Sequence, residues 1–285
     1  MSFLDGFDIS EEAVSGPYFG MISGPPGVGK TFLAANAEKP FYIALEKGVE
    51  KVTGVGKQLK NGAVHIIGSE DEFYQTLQQF VKHDHPYKTI VIDSGMFLDK
   101  LSIEKIITNT PEITKKDKAG NIVVKKITSI SDFDFGDGYA QLVAVYEKRF
   151  FTALTHLHRK GLNVILITHT RLKSTVDDNG NEFKKHGVDM AEWGVYSVPN
   201  LLTAKADWCL FMQSTITSAA KRNNFGTVKH HADAMMPPEI VVHTRSGNGF
   251  FAKVRTEKIE NVQDSYIIDV RNPETSKQIF TDLLK

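Results

Sequence analysis

The stretch GPPGVGKT, Gly24 to Thr31, lies between the apolar run YFGMIS and the small-residue run FLAANA. It matches the P-loop pattern in full, with Gly24 and Gly29 bracketing four residues and Lys30-Thr31 closing it. The glycines let the backbone curl so that successive N–H groups of Gly24, Gly27, Val28 and Gly29 surround phosphate oxygens, Pro25 and Pro26 having no donors of their own. Lys30 then supplies a point charge for the β- and γ-phosphates. The Thr31 hydroxyl is a ligand for Mg²⁺, and Phe32 continues the loop into the helix that follows. An apolar strand before the loop and a helical pattern after it are the context this reading requires. The expected ligand is ATP with Mg²⁺.

Working outward, apolar runs alternate with helical patterns, which predicts an α/β fold with a mainly parallel sheet flanked by helices. The expected strands are Tyr18–Ser23, Phe41–Leu45, Val64–Ile67, Thr89–Ile92, Val164–Thr168 and Ala206–Met212. Each is short, rich in β-branched or aromatic residues and bounded by turn residues, as strands buried on both faces are. Ser69 with Glu72 three residues on predicts a capping box, followed by Phe73, Leu77, Phe80 and Val81 at helical spacing. A longer helix is expected from about Tyr139 to Lys160, stopped by Gly161. Three segments lack periodicity, residues 108–137, 172–199 and 215–238, and read as long irregular loops.

A second carboxylate is needed for the magnesium, and KTIVIDS supplies Asp93 at the end of an apolar strand. Hydrolysis also needs a group that orients or deprotonates water. Glu46 ends the strand FYIALE and is the candidate general base.

Composition limits the alternatives. The chain has 285 residues, 41% of them hydrophobic, enough for a sizeable core. Basic and acidic residues number 34 each, which argues against a histone-like mode of DNA binding while leaving room for a local basic loop. The lone Cys209, within ADWCLFM, rules out an intrachain disulfide and reads as a small buried hydrophobe. No apolar run has membrane-spanning length, and the acidic N-terminus lacks a signal-peptide pattern, so no membrane association and a cytoplasmic location are expected. DFDFGDG, Asp132–Gly138, departs from an EF-hand at positions 5, 6 and 12 and reads as a turn into the long helix.

GPPGVGKT, FYIALE, TIVIDS and VILITHT, in that order, resemble the RecA-type branch of P-loop ATPases. More closely, KPFYIALEKG, TIVIDS, DFGDGYAQL, GLNVILITHTR and KADWCLFM resemble a phage-encoded family of shortened RecA-like ATPases that includes single-strand annealing proteins. The resemblance covers about Tyr18 to Lys258. It implies a RecA-like P-loop NTPase domain over residues 18–258, with an N-terminal extension over 1–17 and a C-terminal strand and helix, 259–285, packed on the core. It implies an oligomer, ring or filament, that binds single-stranded DNA, with a single-strand-binding protein as a further partner and the host cytoplasm as its location. Glu46 corresponds to the general base. His169 falls where a γ-phosphate-sensing glutamine often stands, though a histidine ring changes charge near neutral pH. Lys253 and Arg255, in GFFAKVRT, resemble basic residues that reach a neighbouring subunit's γ-phosphate.

The segment after the sensor strand, Arg171–Tyr196, corresponds to a mobile DNA-binding loop. Its cations are Arg171, Lys173, Lys184 and Lys185, and Phe183, Trp193 and Tyr196 offer faces for bases. Asp177, Asp178, Glu182, Asp189 and Glu192 dilute the basic signal. The expected function is an ATP-dependent single-strand DNA-binding protein of phage recombination or replication that promotes annealing or strand exchange. The competing readings are a helicase-like DNA motor, a P-loop small-molecule kinase and a nucleotide-gated scaffold.

Overall fold

A computed structural model describes residues 16–45, 64–116, 120–176, 179–215, 218–222, 228–232, 239–255, 259–269 and 272–283. Its centre is a sheet in the order β16-β14-β11-β1-β7-β4-β2-β3. Five neighbouring pairs run parallel: β11 (Trp208–Thr215) with β1 (Phe19–Gly24), β1 with β7 (Asn163–Val176), β7 with β4 (Thr89–Asp93), β4 with β2 (Pro40–Ala44), and β2 with β3 (Val64–Ile66). Two antiparallel strands, β14 (Glu239–His243) and β16 (Ser265–Ile268), extend the edge beyond β11.

The central strands are apolar because both faces are covered. Along β4, Ile90 and Ile92 enter one core and Val91 the other. In β7, Val164 and Leu166 alternate with Ile165 and Ile167 in the same way. The first core is roofed by α2 (Glu70–Lys82), α3 (Gly95–Asn109) and a helical run made of α4 (Asp137–Val145), a π turn (Tyr146–Phe150) and α5 (Phe151–Arg159). The second core holds α1 (Lys30–Ala34) and α7 (Pro273–Leu283), which buries Ile279, Phe280 and Leu283. Helix α6 (Val198–Lys205) leads into β11.

The expected strands are present, with boundaries shifted by a few residues at most, except that β7 does not stop at Thr168. The predicted capping box is half made: the Ser69 hydroxyl accepts from the Glu72 N–H at 3.2 Å, while the Glu72 carboxylate accepts from Gly68 N–H, one residue earlier than the motif predicts. Gly161 stops the long helix with φ 77, its N–H donating to the His158 carbonyl at 2.8 Å.

The three segments read as irregular loops contain two-stranded ribbons instead. β5 (Glu112–Lys116) pairs with β6 (Ile122–Lys126), β7 with β8 (Glu182–Val188), and β12 (Ser218–Arg222) with β13 (Val228–Ala232), all antiparallel. The reason is physical. In the first two, most side chains are exposed on both faces, so no burial imposes the alternation by which a strand is recognised. Among the described residues no helix is long and apolar enough to cross a membrane.

Candidate nucleotide site

The loop at Gly24–Thr31 leaves the C-terminal end of β1, where β4 also ends and β7 runs on past the sheet. Gly24 must be glycine for a steric reason: a Cβ there would sit 2.3 Å from the Met212 carbonyl oxygen. Gly29, at φ 90, forms the left-handed N-cap from which α1 starts. Lys30 is 5% exposed, and its ammonium donates to the loop's own carbonyls, Gly24 at 2.9 Å and Pro25 at 2.7 Å. Thr31 Oγ1 donates to Asp93 Oδ2 at 2.7 Å. The Tyr42 hydroxyl in turn donates to the Thr31 carbonyl at 2.7 Å, and burial, followed by the Asp93 charge, holds its phenol well above the usual range.

Strand order explains this convergence. β7 lies between β1 and β4, with Gly24 in register with His169 and Asp93 with Ile167. His169 is therefore beside the loop: its Nδ1 is 3.3 Å from Lys30 Nζ. Lys30, Thr31, Asp93 and His169, 139 positions apart at the extremes, form one cluster. The donor set fits Mg-ATP. A hydroxyl and a carboxylate oxygen within hydrogen-bond distance are the hard oxygen ligands magnesium takes, and an anchored ammonium beside a curled glycine loop suits phosphate. Glu46 lies outside the described residues.

β7 then runs on without a break from His169 into the ribbon with β8. The returning strand is fastened at its base: Asp189 N–H donates to the His169 carbonyl at 2.8 Å, and Ala191 N–H to Asp99 Oδ2 at 2.6 Å. Asp99, 4% exposed on α3, also accepts from the Tyr146 hydroxyl at 2.7 Å. Burial, and to a smaller degree the nearby Asp189 charge, pushes its carboxyl up to about 7 against the pull of those two donors. One turn further along α3, Ser102 donates to the buried Glu70 at 2.8 Å, and Arg149 of the π turn also pairs with Glu70. No periodicity signals these contacts. The only sequence hint for Asp99 is a charge placed among apolar residues in GMFLDKL.

The cations proposed for DNA contact divide. Arg171 pairs with Asp189 at 3.4 Å, and Lys173 pairs with Glu192. Lys184 and Lys185 make no ion pair among the described residues and remain the ribbon's available positive charge. Trp193 is half exposed, but the Tyr139 ring stacks near it at 6.4 Å and 20°, and a Cβ on Gly136 would come within 2.1 Å of its ring. One face is thus occupied by α4 and the turn before it. Trp193 and Tyr196 belong to a small ribbon, β9 (Glu192–Trp193) with β10 (Tyr196–Ser197), separate from the β7–β8 ribbon. Phe183, on β8, is 36% exposed.

Lys253 and Arg255 do not reach their own nucleotide loop. Lys253, on β15 (Lys253–Val254), is in register with Cys209, which is in register with Met21 of β1. That places it two strands across from β1, roughly 10 Å sideways, and roughly 10 Å before Gly24 along the strand direction. The Arg255 guanidinium donates to the Ala204 carbonyl at 3.1 Å, near the negative end of α6, with Lys253 Nζ 3.5 Å from the same oxygen. Burial lowers the Lys253 ammonium below its ordinary value. Cys209 is a buried thiol raised to about 12 by burial, and so an inert core residue at neutral pH.

No curated protein matches the chain significantly. The profile of a family described as an AAA domain matches residues 17–256, which span the P-loop, the Asp93 strand, β7 with its ribbon, and β15. With most of its length matched and the nucleotide cluster assembled at the C-terminal end of the central strands, the chain belongs to the AAA-domain family of P-loop NTPase type.

Proposed function

We propose that the chain is an ATP-hydrolysing, single-strand DNA-binding protein that promotes annealing or strand exchange as a homo-oligomer, in the manner of the phage recombination ATPases it resembles. The observation that carries this reading is the continuity of β7: one strand bears His169 beside Lys30 and, from residue 170 on, half of an exposed basic ribbon. A change at the phosphate end of His169 is thereby two residues from the ribbon's first cation.

In this reading Gly24–Thr31 cradle the phosphates, and Thr31 with Asp93 hold the magnesium. Bound Mg-ATP supplies a hydrolysable phosphoanhydride, and Glu46 orients the attacking water. Lys184 and Lys185 neutralise strand phosphates, with Phe183 and the open face of Trp193 available to bases. The position of Lys253 and Arg255, away from their own loop, supports a role at a neighbouring subunit's γ-phosphate.

The test is fluorescence anisotropy of a labelled single strand at several salt concentrations, with and without a non-hydrolysable ATP analogue. Two contributing cations predict a shallow slope, roughly 0.7 units of log affinity per log salt for each phosphate neutralised. Replacing Lys184 and Lys185 by alanine flattens it. Absence of single-strand affinity with nucleotide at low salt removes this reading and favours the kinase or the scaffold.

A further inference from the structure

The C-terminal end of the parallel strands, which carries the nucleotide loop, also borders a cavity of about 360 Å³. Its floor is β1 and β11, at Met21, Ser23, Cys209 and Phe211. One wall is α6 at Asn200 and Thr203, and the other is the base of the β7–β8 ribbon. Within that second wall, Lys173 and Lys185 are directly opposed in the antiparallel register, and both line the cavity. Opposed like charges are destabilising. Among the described residues Glu192 is the single carboxylate in the lining, and it pairs with Lys173. Lys185, half-buried, makes no ion pair among the described residues, so the cavity carries surplus positive charge. Phe251, 39% exposed, adds an aromatic ring to the lining.

Surplus positive charge beside an exposed aromatic ring suits a ligand that joins an anion to a flat ring. We propose that the cavity holds one nucleotide of a bound single strand, its base turned out of the stack against Phe251 and its phosphate beside Lys185. The inference rests on the single-strand reading above and adds where, and how, a base is held. The volume lies near the low end of the roughly 300–1,000 Å³ of small-molecule sites. Turning out a base costs least when it is already unpaired. Three of the lining hydroxyls are already engaged, while those of Ser174 and Thr175, which also line the cavity, make no hydrogen bond among the described residues. Ser23 donates to the Leu210 carbonyl at 3.0 Å, Thr203 to the Pro199 carbonyl at 2.8 Å, and Thr170 lies 3.3 Å from His186 Nδ1. Ser23 directly precedes Gly24 and Thr170 directly follows His169, so β1 and β7 each run between the cavity and the nucleotide site.

The experiment titrates the full chain into an oligo-dT strand carrying a single 2-aminopurine, whose emission rises when the base leaves its neighbours. A saturating non-hydrolysable ATP analogue keeps the P-loop filled, and anisotropy and emission are read together. Binding is expected to raise the emission several-fold. Thr203→Phe, which fills the cavity from α6, removes that rise while the ATP analogue still binds. Phe251→Ala weakens strand binding roughly five-fold or more, the lower end of what a base–aromatic stack contributes. Lys185→Ala, which leaves the cavity floor intact, lowers the rise as well, and serves as the decisive variant if Thr203→Phe does not fold. Strand binding without an emission rise, or a rise that survives Thr203→Phe or Lys185→Ala, overturns the cavity assignment and leaves the single-strand reading standing. No strand binding at all overturns both. Free dTMP that suppresses the rise as effectively as unlabelled strand would assign the cavity to free nucleotides and overturn the strand-bound form.

Discussion

Asp99→Asn is the substitution whose effect can be worked out most fully. The carboxyl is buried between Tyr146 and Ala191, its ordinary value is 3.8, and burial raises it to about 7 in the folded chain. The folded state therefore holds a proton on Asp99 that the unfolded state releases above pH 4. The stabilisation tied to that proton is complete below about pH 4 and is lost as pH rises through about 7. Over the whole window the difference, at about 1.36 kcal/mol per pH unit, amounts to about 4 kcal/mol. Between pH 5 and pH 8 it is about 2.5 kcal/mol. Asparagine has the shape of the protonated acid. Its oxygen can accept from Ala191 N–H, and its amide can donate to the Tyr146 oxygen, whose hydroxyl rotates to suit. The variant should therefore match the wild type below about pH 4, and its advantage should grow by about 2.5 kcal/mol between pH 5 and pH 8, which for a chain of this size is roughly 5–10 °C in melting temperature. The assay is urea unfolding of both proteins at pH 5, 6, 7 and 8, read as the difference between them so that all other titrating groups cancel. Parallel curves across that range, whatever the offset, would show that Asp99 does not titrate there and would refute the burial argument.

Three further outcomes are expected. Lys30→Ala should abolish tight binding of a labelled ATP analogue, since it removes the one ammonium anchored inside the loop; unchanged affinity in a folded variant would contradict the site. Glu46→Gln should keep nucleotide affinity while single-turnover hydrolysis falls by about 10²-fold or more, and wild-type turnover would rule out a general base at that position. If Lys253 and Arg255 complete a neighbour's site, mixing inactive Glu46→Gln with inactive Arg255→Ala should restore part of the ATPase activity, because one mixed interface holds both intact halves; a monomeric ATPase with concentration-independent specific activity would exclude this.

Local chemistry made the nucleotide loop legible without coordinates. GPPGVGKT carries its own conformational demands, and the strands beside it are buried on both faces, so their apolar runs stand out from the chain around them. The same holds for Asp93, which ends such a run. His169 was placed by resemblance, and only the strand order turned that placement into a contact, by setting β7 between β1 and β4 with Gly24 opposite His169. What the sequence could not disclose depends on partners far apart in the chain. Arg171 and Lys173 look like free cations until the fold brings Asp189 and Glu192 against them. Trp193 looks like an open platform until Tyr139 and Gly136 cover one face. The first two ribbons escaped detection because strands exposed on both faces owe their pairing to backbone hydrogen bonds, which every residue but proline can donate and which leave no mark on residue type. Asp99 is the extreme case: its identity is plain in the sequence, but the absence of water around it, which sets its charge, is a property of the packed core alone.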